Sequence, residues 1–544
     1  MPTRHRLIAI LLVAGAVLAV GIAAAAARPG AHRSIPRPSQ PVNGGIVWED
    51  CGDGYQCAHL EVPRDYRHPH GATFNLALIR LPAQDQANRI GALFVNFGGP
   101  GGTAVDTIHA IGRDLFGAVN DRFDIVGIDP RGVGETQPSV DCQANQETEG
   151  IYSQPFVTPF NLDTNALIAK DRAYIERCKQ LNGSVLRYIS TKNTARDMDR
   201  VRAAMGDARL NYFGFSYGTF LGSTYASLFP NRYRAMVLDG PVDVDGYANR
   251  PTENLQEQSA GFERALARFF QACAADQATC AFGGNDPADA FEQLVASAYQ
   301  NPLPACCGDP AVDGDDMIAG AVLAMYAKQL WPLLVDALQQ ADAGDGTGFR
   351  LLADAFYGRN PDGTYSPGSD RYFLITAADQ AYDRVRGHHG IDLYLDAGNH
   401  SWGLFDHTFW NTGYPELNYG LYDPHSNDVF RGPFRASSSS PTVLVVDTTY
   451  DPATPYRGGL RTAAELRNTR LLTMRGDGHT AYGGNSACID DAVNAYIETL
   501  ELPPVGTECQ QQVLFGSSVS ARSTAGRAIL ERTMWRAAPH GVTH

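Results

Sequence analysis

The segment Leu210-Asn-Tyr-Phe-Gly-Phe-Ser-Tyr-Gly218 joins a short apolar run to a Gly-x-Ser-x-Gly motif. The run Leu210–Phe215 has the length and composition of a strand buried on both faces, and the residues from Thr219 onward have a helical pattern. Glycines on both sides of a serine permit a sharp strand-to-helix turn that exposes the serine at the strand tip. Ser216 is therefore the candidate nucleophile, and a glycine-rich turn with an idle serine is the alternative.

Similar apolar runs recur along the chain, separated by helical stretches. They are Ala92–Phe97, Phe123–Ile128, Ala235–Asp239, Thr442–Val446 and Arg470–Met474. The earlier segment Thr73–Leu81 alternates apolar and polar residues, which predicts an antiparallel strand. Between two runs, a helix is predicted over Thr194–Met205, capped by Thr194 and ended by Gly206. Alternating strands and helices predict an α/β fold with a mostly parallel, doubly wound sheet.

The strand pattern is interrupted by a long insertion between Asp239 and Thr442. It contains helical patterns at Asp315–Leu330 and Pro332–Ala343, divided where a proline can begin a helix but not continue one. So long a segment cannot be one loop. We therefore expect a helical cap at 241–440 that covers the carboxyl edge of the sheet, between core segments at 45–240 and 441–510.

The two ends of the chain differ from the rest. Arg4 and Arg6 precede an apolar run and then small residues up to Ala27. This order predicts a signal peptide at 1–27, an extended leader at 28–44 and secretion. An uncleaved anchor is the alternative, so membrane contact is expected only through this segment. The tail at 511–544 contains Arg536 and three other arginines, and it is predicted to be a peripheral helix or a frayed end.

Composition and charge exclude several classes of function. The chain has 544 residues, of which 59 are acidic and 44 basic, for a formal net charge of −15. Because it shows no basic stripe, nucleic acid is not an expected partner. It also has no HExxH motif and no pair of CxxC units, so no metal is expected.

The ten cysteines, an even number, fit a protein whose thiols become oxidised after export. Proximity in the sequence favours four local pairs, Cys51–Cys57, Cys142–Cys178, Cys273–Cys280 and Cys488–Cys509. The adjacent residues Cys306 and Cys307 are then left without an assigned partner.

Two later turns supply an acid and a base. His479 follows the last predicted strand, and Asp451 lies five residues past the end of the preceding one. The order serine, aspartate, histidine is that of the α/β hydrolases. Asp447 is a rival acid but belongs to the strand end, and Asp477 is too close to the histidine in sequence to face it.

A third glycine-rich turn, Asn96–Gly102, follows an early strand and can supply backbone N–H groups to an oxyanion. We expect Gly99, or Gly98, to donate one hydrogen bond and Tyr217, next to the nucleophile, to donate the other. The turn has neither the ending of a phosphate-binding loop nor the spacing of a dinucleotide site. No cofactor is therefore expected.

Five motifs together give the sequence a family resemblance. They are Phe97–Gly102, Gly127–Gly134, Gly214–Thr219, Asp451–Pro455 and Gly478–Thr480. Over roughly residues 45 to 510 the chain resembles the secreted tripeptidyl aminopeptidases, α/β-hydrolase serine exopeptidases related to prolyl aminopeptidases. The resemblance implies a triad of Ser216, Asp451 and His479 that releases short peptides, often tripeptides, from substrates with a free amino terminus.

Substrate class stays open at this point, because the same triad also serves an extracellular carboxylesterase or lipid hydrolase. An exopeptidase needs a partner for the substrate ammonium group, and a buried carboxylate is the suitable group. The candidates at the start of the insertion are Asp243, Asp245, Glu253 and Glu257. Because an acid is more often an ordinary surface residue, none of them is assigned as a site.

Overall fold

The structure, a computed structural model, describes residues 45–151, 162–404, 414–426, 428–516, 519–520 and 524–537. The predicted signal peptide and leader lie outside these residues. The strands are β1 Glu49–Gly52, β2 Tyr55–Pro63, β3 Thr73–Leu81, β4 Gly91–Asn96, β5 Phe123–Ile128, β6 Leu210–Phe215, β7 Tyr233–Asp239, β8 Val443–Tyr450, β9 Thr469–Asp477 and β10 Glu508–Gln510. Within the described residues they form one sheet in the order β1-β2-β3-β5-β4-β6-β7-β8-β9-β10.

The pairing of the strands confirms the predicted α/β class. β1, β2 and β3 pair with their neighbours in antiparallel orientation, and every pairing from β5 across to β10 is parallel. The parallel strands β4, β5 and β6 are buried along their whole length, as expected for strands covered on both faces. β8 continues past its predicted end at Val446 to Tyr450, so Asp451 follows the strand directly.

From β4 onward, helices lie between consecutive strands. Those of the described residues are α1 Ala104–Phe116, α2 Thr164–Asn182, α3 Thr191–Ala204, α4 Tyr217–Leu228, α5 Val244–Asn249, α6 Pro251–Ala275, α7 Pro287–Gln300, α8 Gly314–Met325, α9 Trp331–Asp342, α10 Thr347–Tyr357, α11 Gly368–Asp379, α12 Gly387–Leu404, α13 Leu417–Leu421, α14 Tyr456–Leu466, α15 Ala487–Thr499 and α16 Thr524–Thr533.

The predicted start of α3 at Thr194 is wrong by one turn. The helix begins at Thr191, whose backbone N–H donates to the Asp379 carboxylate at 3.0 Å. This partner satisfies a donor at the helix start that has no partner within the helix. Because Asp379 is distant in sequence, local pattern could not predict the earlier start.

Between β7 and β8, the described residues form helices α5 to α13 and contribute no strand to the sheet. Many of their apolar side chains form a buried cluster that includes Phe269, Leu323 and Trp331. α8 ends at Met325, earlier than predicted, and a 3-10 turn at Lys328–Leu330 leads into α9, which has Pro332 in its first turn. We refer to residues 241–440 as the cap.

The cysteine sulfurs form the four predicted local pairs, and the two remaining cysteines, Cys306 and Cys307, pair with each other. No helix among the described residues is long and apolar enough to cross a membrane.

The described part of the tail packs more closely against the cap than a peripheral helix or a frayed end would. After α16, a 3-10 turn at Met534–Ala537 buries Met534 and Ala537 in the apolar cluster of the cap. Ile529 and Leu530 of α16 pack against the same cluster. The apolar residues between the arginines thus dock this segment, and Arg536 is only 4% exposed.

Candidate active site

Ser216 lies at the turn between β6 and α4, as the sequence predicts. Its backbone has φ 54° and ψ −126°, a strained conformation that is typical of a nucleophile held at a sharp turn. Its N–H donates to the carbonyl of Asp239 at the end of β7, at 2.9 Å. A Cβ on Gly214 would lie 2.4 Å from the carbonyl oxygen of Gly218, so the two sides of the turn approach as closely as glycine permits.

Asp451 and His479 come together at the ends of β8 and β9. The Nδ1 atom of His479 lies 2.8 Å from Oδ2 and 3.0 Å from Oδ1 of Asp451, and both side chains are buried. Because Nδ1 faces a carboxylate, it carries the ring proton and leaves the Nε2 lone pair available. Nε2 is buried and has no hydrogen-bond partner among the described residues. A base with one nitrogen oriented and the other available is the arrangement that a serine nucleophile requires.

Thr454 also contacts this pair, which the sequence did not predict. Its hydroxyl lies 3.1 Å from Oδ2 of Asp451 and 3.2 Å from Nδ1 of His479. The Thr454-Pro455 sequence suggests a helix cap, but α14 starts at Tyr456 without a side-chain cap. The backbone N–H groups of Ala453 and Thr454 donate to Oδ1 of Asp451, at 2.9 and 2.8 Å. The turn after β8 therefore orients the carboxylate.

The end of β7 links the serine to the histidine. Asp239, the last residue of β7, accepts the Ser216 N–H, and a Cβ on the next residue, Gly240, would lie 3.0 Å from Cε1 of His479. The carboxylate of Asp239 accepts N–H groups of Ala481 and Tyr482, at 2.9 and 2.8 Å. Burial raises the pKa of Asp239 to about 6. The turns after β6, β7 and β9 thus meet at one edge of the sheet.

Neither rival acid has the position of Asp451. Asp447 lies inside β8, and its complete burial raises the pKa of its carboxyl well above the usual range. A shift in this direction favours the neutral carboxyl, and a neutral carboxyl gives no charge to stabilise an imidazolium. Asp477 bonds to Arg268 and to Lys328, the latter at 3.1 Å, and both of these residues belong to the cap.

The glycine-rich turn after β4 lies against the nucleophile. A Cβ on Gly98 would be 2.9 Å from Cβ of Ser216 and 3.2 Å from the backbone nitrogen of Tyr217. The N–H of Gly98 donates to Oδ1 of Asn96 at 3.1 Å, so that group already has an acceptor. Gly99 lines the same cavity as Ser216 and Tyr217. Of the two glycines, Gly99 is the better candidate for an oxyanion donor.

The cavity above Ser216 lies between the sheet edge and the cap. Its aromatic lining includes Tyr247, Tyr326, Phe356, Tyr372, Tyr382 and Tyr419. The ring of Tyr326 meets the His479 ring edge-on at 5.7 Å, and its carbonyl accepts the His479 N–H at 2.7 Å. The cap therefore contacts the histidine directly.

The four acids considered as ammonium anchors are bound to arginines. Arg461 donates to Asp243 at 3.0 Å and to Glu257 at 2.8 Å. Asp245 and Glu253 bind Arg250, at 3.1 and 2.7 Å. Arginine neutralises these carboxylates, which makes them poor partners for a second cation.

Glu416 is a cavity carboxylate that the sequence did not indicate. It lines the same cavity as Ser216 and is 0% exposed. It accepts a hydrogen bond from Thr252 at 3.2 Å and another from Tyr382. Its surroundings, Tyr414-Pro-Glu-Leu417, contain no motif that could have identified it.

Comparisons with known proteins agree with this geometry. A family model described as TAP-like protein matches residues 428–509, and one described as alpha/beta hydrolase fold matches residues 91–283. Serine protease Hip1 of Mycobacterium tuberculosis is 34% identical over 508 residues, which cover 88% of this chain and 93% of the relative. Carboxylesterase B of the same organism is 34% identical over 529 residues, covering 92% and 96%. Tripeptidyl aminopeptidase of Streptomyces lividans is 30% identical over 475 residues, covering 84% of each chain. The chain is thus a serine hydrolase that belongs to the tripeptidyl aminopeptidase family of α/β hydrolases.

Proposed function

We propose that the protein is a secreted serine exopeptidase that releases short peptides, tripeptides in the first instance, from free amino termini. The observation that carries this proposal is Glu416, a buried carboxylate in the cavity that Ser216 also lines. A substrate ammonium group that leaves water for an aromatic cavity needs a fixed negative partner. An ester or lipid substrate has no such group, so a carboxylate there favours a peptide substrate.

The surroundings of Glu416 support the role of an anchor. The hydroxyls of Thr252 and Tyr382 donate to its carboxylate and orient it. Thr252 lies in α6 and Glu416 lies next to α13, so two cap elements define the position of this end of the cavity. The distance from Glu416 to Ser216 would then set the number of residues that are released.

Catalysis would use the triad in two steps. Ser216 Oγ attacks the scissile carbonyl carbon while His479 Nε2 takes the hydroxyl proton, and Asp451 stabilises the resulting imidazolium. The N–H groups of Gly99 and Tyr217 stabilise the oxyanion. The C–N bond then breaks, the leaving amine takes the proton from His479, and the peptide remains esterified to Ser216. Water attacks this ester with His479 again as base, which frees the peptide and restores the serine.

Secretion is part of the proposal. Disulfides form and persist in oxidising compartments outside the cytoplasm, and the paired cysteines fit such a compartment. The order of charged, apolar and small residues before Ala27 supports the same conclusion.

The test compares two forms of one chromogenic tripeptide amide, one with a free amino terminus and one with an acetylated amino terminus. We expect the free form to be cleaved with a kcat/KM at least ~100-fold higher, because acetylation removes the charge that Glu416 binds. Glu416→Gln should lower kcat/KM for the free form by about 10- to 100-fold and leave that of the acetylated form nearly unchanged. Glu292→Gln, at an exposed acid of α7, is the matched control and should have no effect. Ser216→Ala should abolish turnover of both.

Two results would contradict the proposal. Equal cleavage of the free and acetylated peptides would indicate an open, endopeptidase-like cleft. Turnover of simple esters without cleavage of either peptide would instead favour the carboxylesterase, the activity that one relative's name states.

A further inference from the structure

The C-terminal segment returns to the loop that carries His479. Arg536 lies in the 3-10 turn after α16, and its guanidinium is buried. Nη2 donates to the carbonyls of Tyr482 and Gly483, at 2.9 and 3.1 Å, and Nη1 bonds to the hydroxyl of Thr480. One side chain therefore contacts three residues of the loop that immediately follows His479.

The loop has a conformation that needs such support. Thr480 has φ 65°, in the left-handed region that a β-branched residue rarely adopts. Such conformations persist only where surrounding contacts hold them. The Asp239 carboxylate accepts the N–H groups of Ala481 and Tyr482, while Arg536 donates to carbonyls and a hydroxyl of the same loop. Asp239 thus binds N–H donors of this loop, and Arg536 binds its carbonyl and hydroxyl acceptors.

The cap determines where Arg536 lies. Its neighbours Met534 and Ala537 are buried in the apolar cluster of the cap. Earlier in the tail, Phe515 meets the rings of Phe269 and Trp331 edge-on, at 6.1 and 5.9 Å. Burial lowers the pKa of Arg536 to about 10, so it stays charged at neutral pH. A guanidinium group on a well-packed segment has several N–H donors in a fixed geometry, so it can hold several carbonyl groups in one arrangement.

We propose that Arg536 is a positioning residue, which holds the loop 479–483 so that Nε2 of His479 stays in its working position beside Ser216. The inference rests on the proposed role of His479 as the base. In this role Arg536 would act through the loop and not by contact with the substrate. The C-terminal segment would thereby be a functional part of the hydrolase.

The experiment compares Arg536→Met with Arg527→Met, a change at an exposed arginine of α16. For each full-length variant, active sites are titrated with a fluorophosphonate. The rate constant of phosphonylation, kcat, KM and the melting temperature are then measured. Because small displacements of a base cost large factors in rate, Arg536→Met should lower kcat per titrated site and the phosphonylation rate constant by about 10- to 100-fold. KM should stay within about 2-fold, since the substrate cavity is untouched. Arg527→Met should change none of these.

A purely structural role predicts a different result. If Arg536→Met lowers the melting temperature while kcat per titrated site stays at the parent value, the proposal is wrong. If that variant does not fold, Arg536→Lys replaces it, because an ammonium keeps the charge but cannot reproduce the fork of contacts. Parent-level kcat in Arg536→Lys would likewise overturn the proposal. His479→Ala distinguishes a failure of this inference from a failure of the proposed role of His479. An unchanged phosphonylation rate constant in that variant would show that His479 is not the base.

Discussion

Asp447 and Asp451, two buried aspartates near the end of β8, have different surroundings and therefore different chemical properties. Asp451 accepts two backbone N–H groups and faces His479, whereas Asp447 is enclosed within the strand. Burial raises the pKa of Asp447 well above its usual range, which favours the neutral form of its carboxyl. Both residues satisfy the sequence order, and only their surroundings distinguish them.

Replacement of each aspartate by asparagine should distinguish their roles in catalysis. Asp451→Asn should lower kcat by about 10³- to 10⁴-fold, because the amide neither holds the correct histidine tautomer nor stabilises the imidazolium. Asp447→Asn should leave kcat within about 3-fold, because an amide resembles a neutral carboxyl in shape and charge. Steady-state kinetics on the tripeptide amide measure both. A larger loss in Asp447→Asn than in Asp451→Asn would reverse the assignment.

At the scale of elements, the site depends on how closely the turns after β4 and β6 approach each other. Gly98 has φ 96°, and a Cβ there would lie 2.7 Å from the carbonyl oxygen of Phe215 and 2.9 Å from Cβ of Ser216. A side chain at this position would force the two turns apart. Its absence lets the N–H groups after β4 and the serine after β6 share one cavity.

Gly98→Ala tests this contact. Strain at a positive φ and the clash with the serine turn should together destabilise the fold by ~1–3 kcal/mol and lower kcat by at least about 10-fold. Gly45→Ala is the matched control, because its Cβ would meet nothing within 4 Å. Thermal unfolding and kcat per titrated site are the measurements. A fully active Gly98→Ala would mean that the turn after β4 takes no part in the site.

At the scale of the whole molecule, several carboxyls are buried deeply enough to change how stability depends on pH. Burial raises the pKa of Asp129 and of Asp379 to about 7 and that of Asp239 to about 6, from an ordinary value of 3.8. Between pH 4 and 7 the folded chain therefore holds protons that the unfolded chain has released. In this window these groups make stability fall as pH rises.

Asp379→Asn should reduce the loss of stability that accompanies a rise in pH. At pH 5 the variant and the parent protein should have similar melting temperatures, since the parent carboxyl is mostly neutral there. By pH 8 the variant should be the more stable, because an amide avoids the cost of ionising a buried acid. Asp342→Asn, at an exposed position, is the control and should follow the parent profile. Parallel profiles for Asp379→Asn and the parent would contradict the prediction.

Local pattern alone predicted strands β3 to β9, the serine turn and the order of the candidate triad residues. Runs such as Leu210–Phe215 must be buried because they are apolar on both faces, and Gly-x-Ser-x-Gly permits the turn that follows. Because the carboxyl ends of parallel strands share one edge of the sheet, the turns that carry Ser216, Asp451 and His479 lie at the same edge.

Other features were decided only by the tertiary structure. Asp379 sets the start of α3, Glu416 joins Ser216 in one cavity, and Arg536 reaches the loop of His479. Each of these depends on contacts between segments far apart in the chain, and no short motif surrounds them. A periodic pattern records which face of an element is buried, but not which distant segment will cover it. For that reason the candidate triad residues could be predicted from sequence, while Glu416 and Arg536, the residues to which we assign substrate binding and support of the His479 loop, could not.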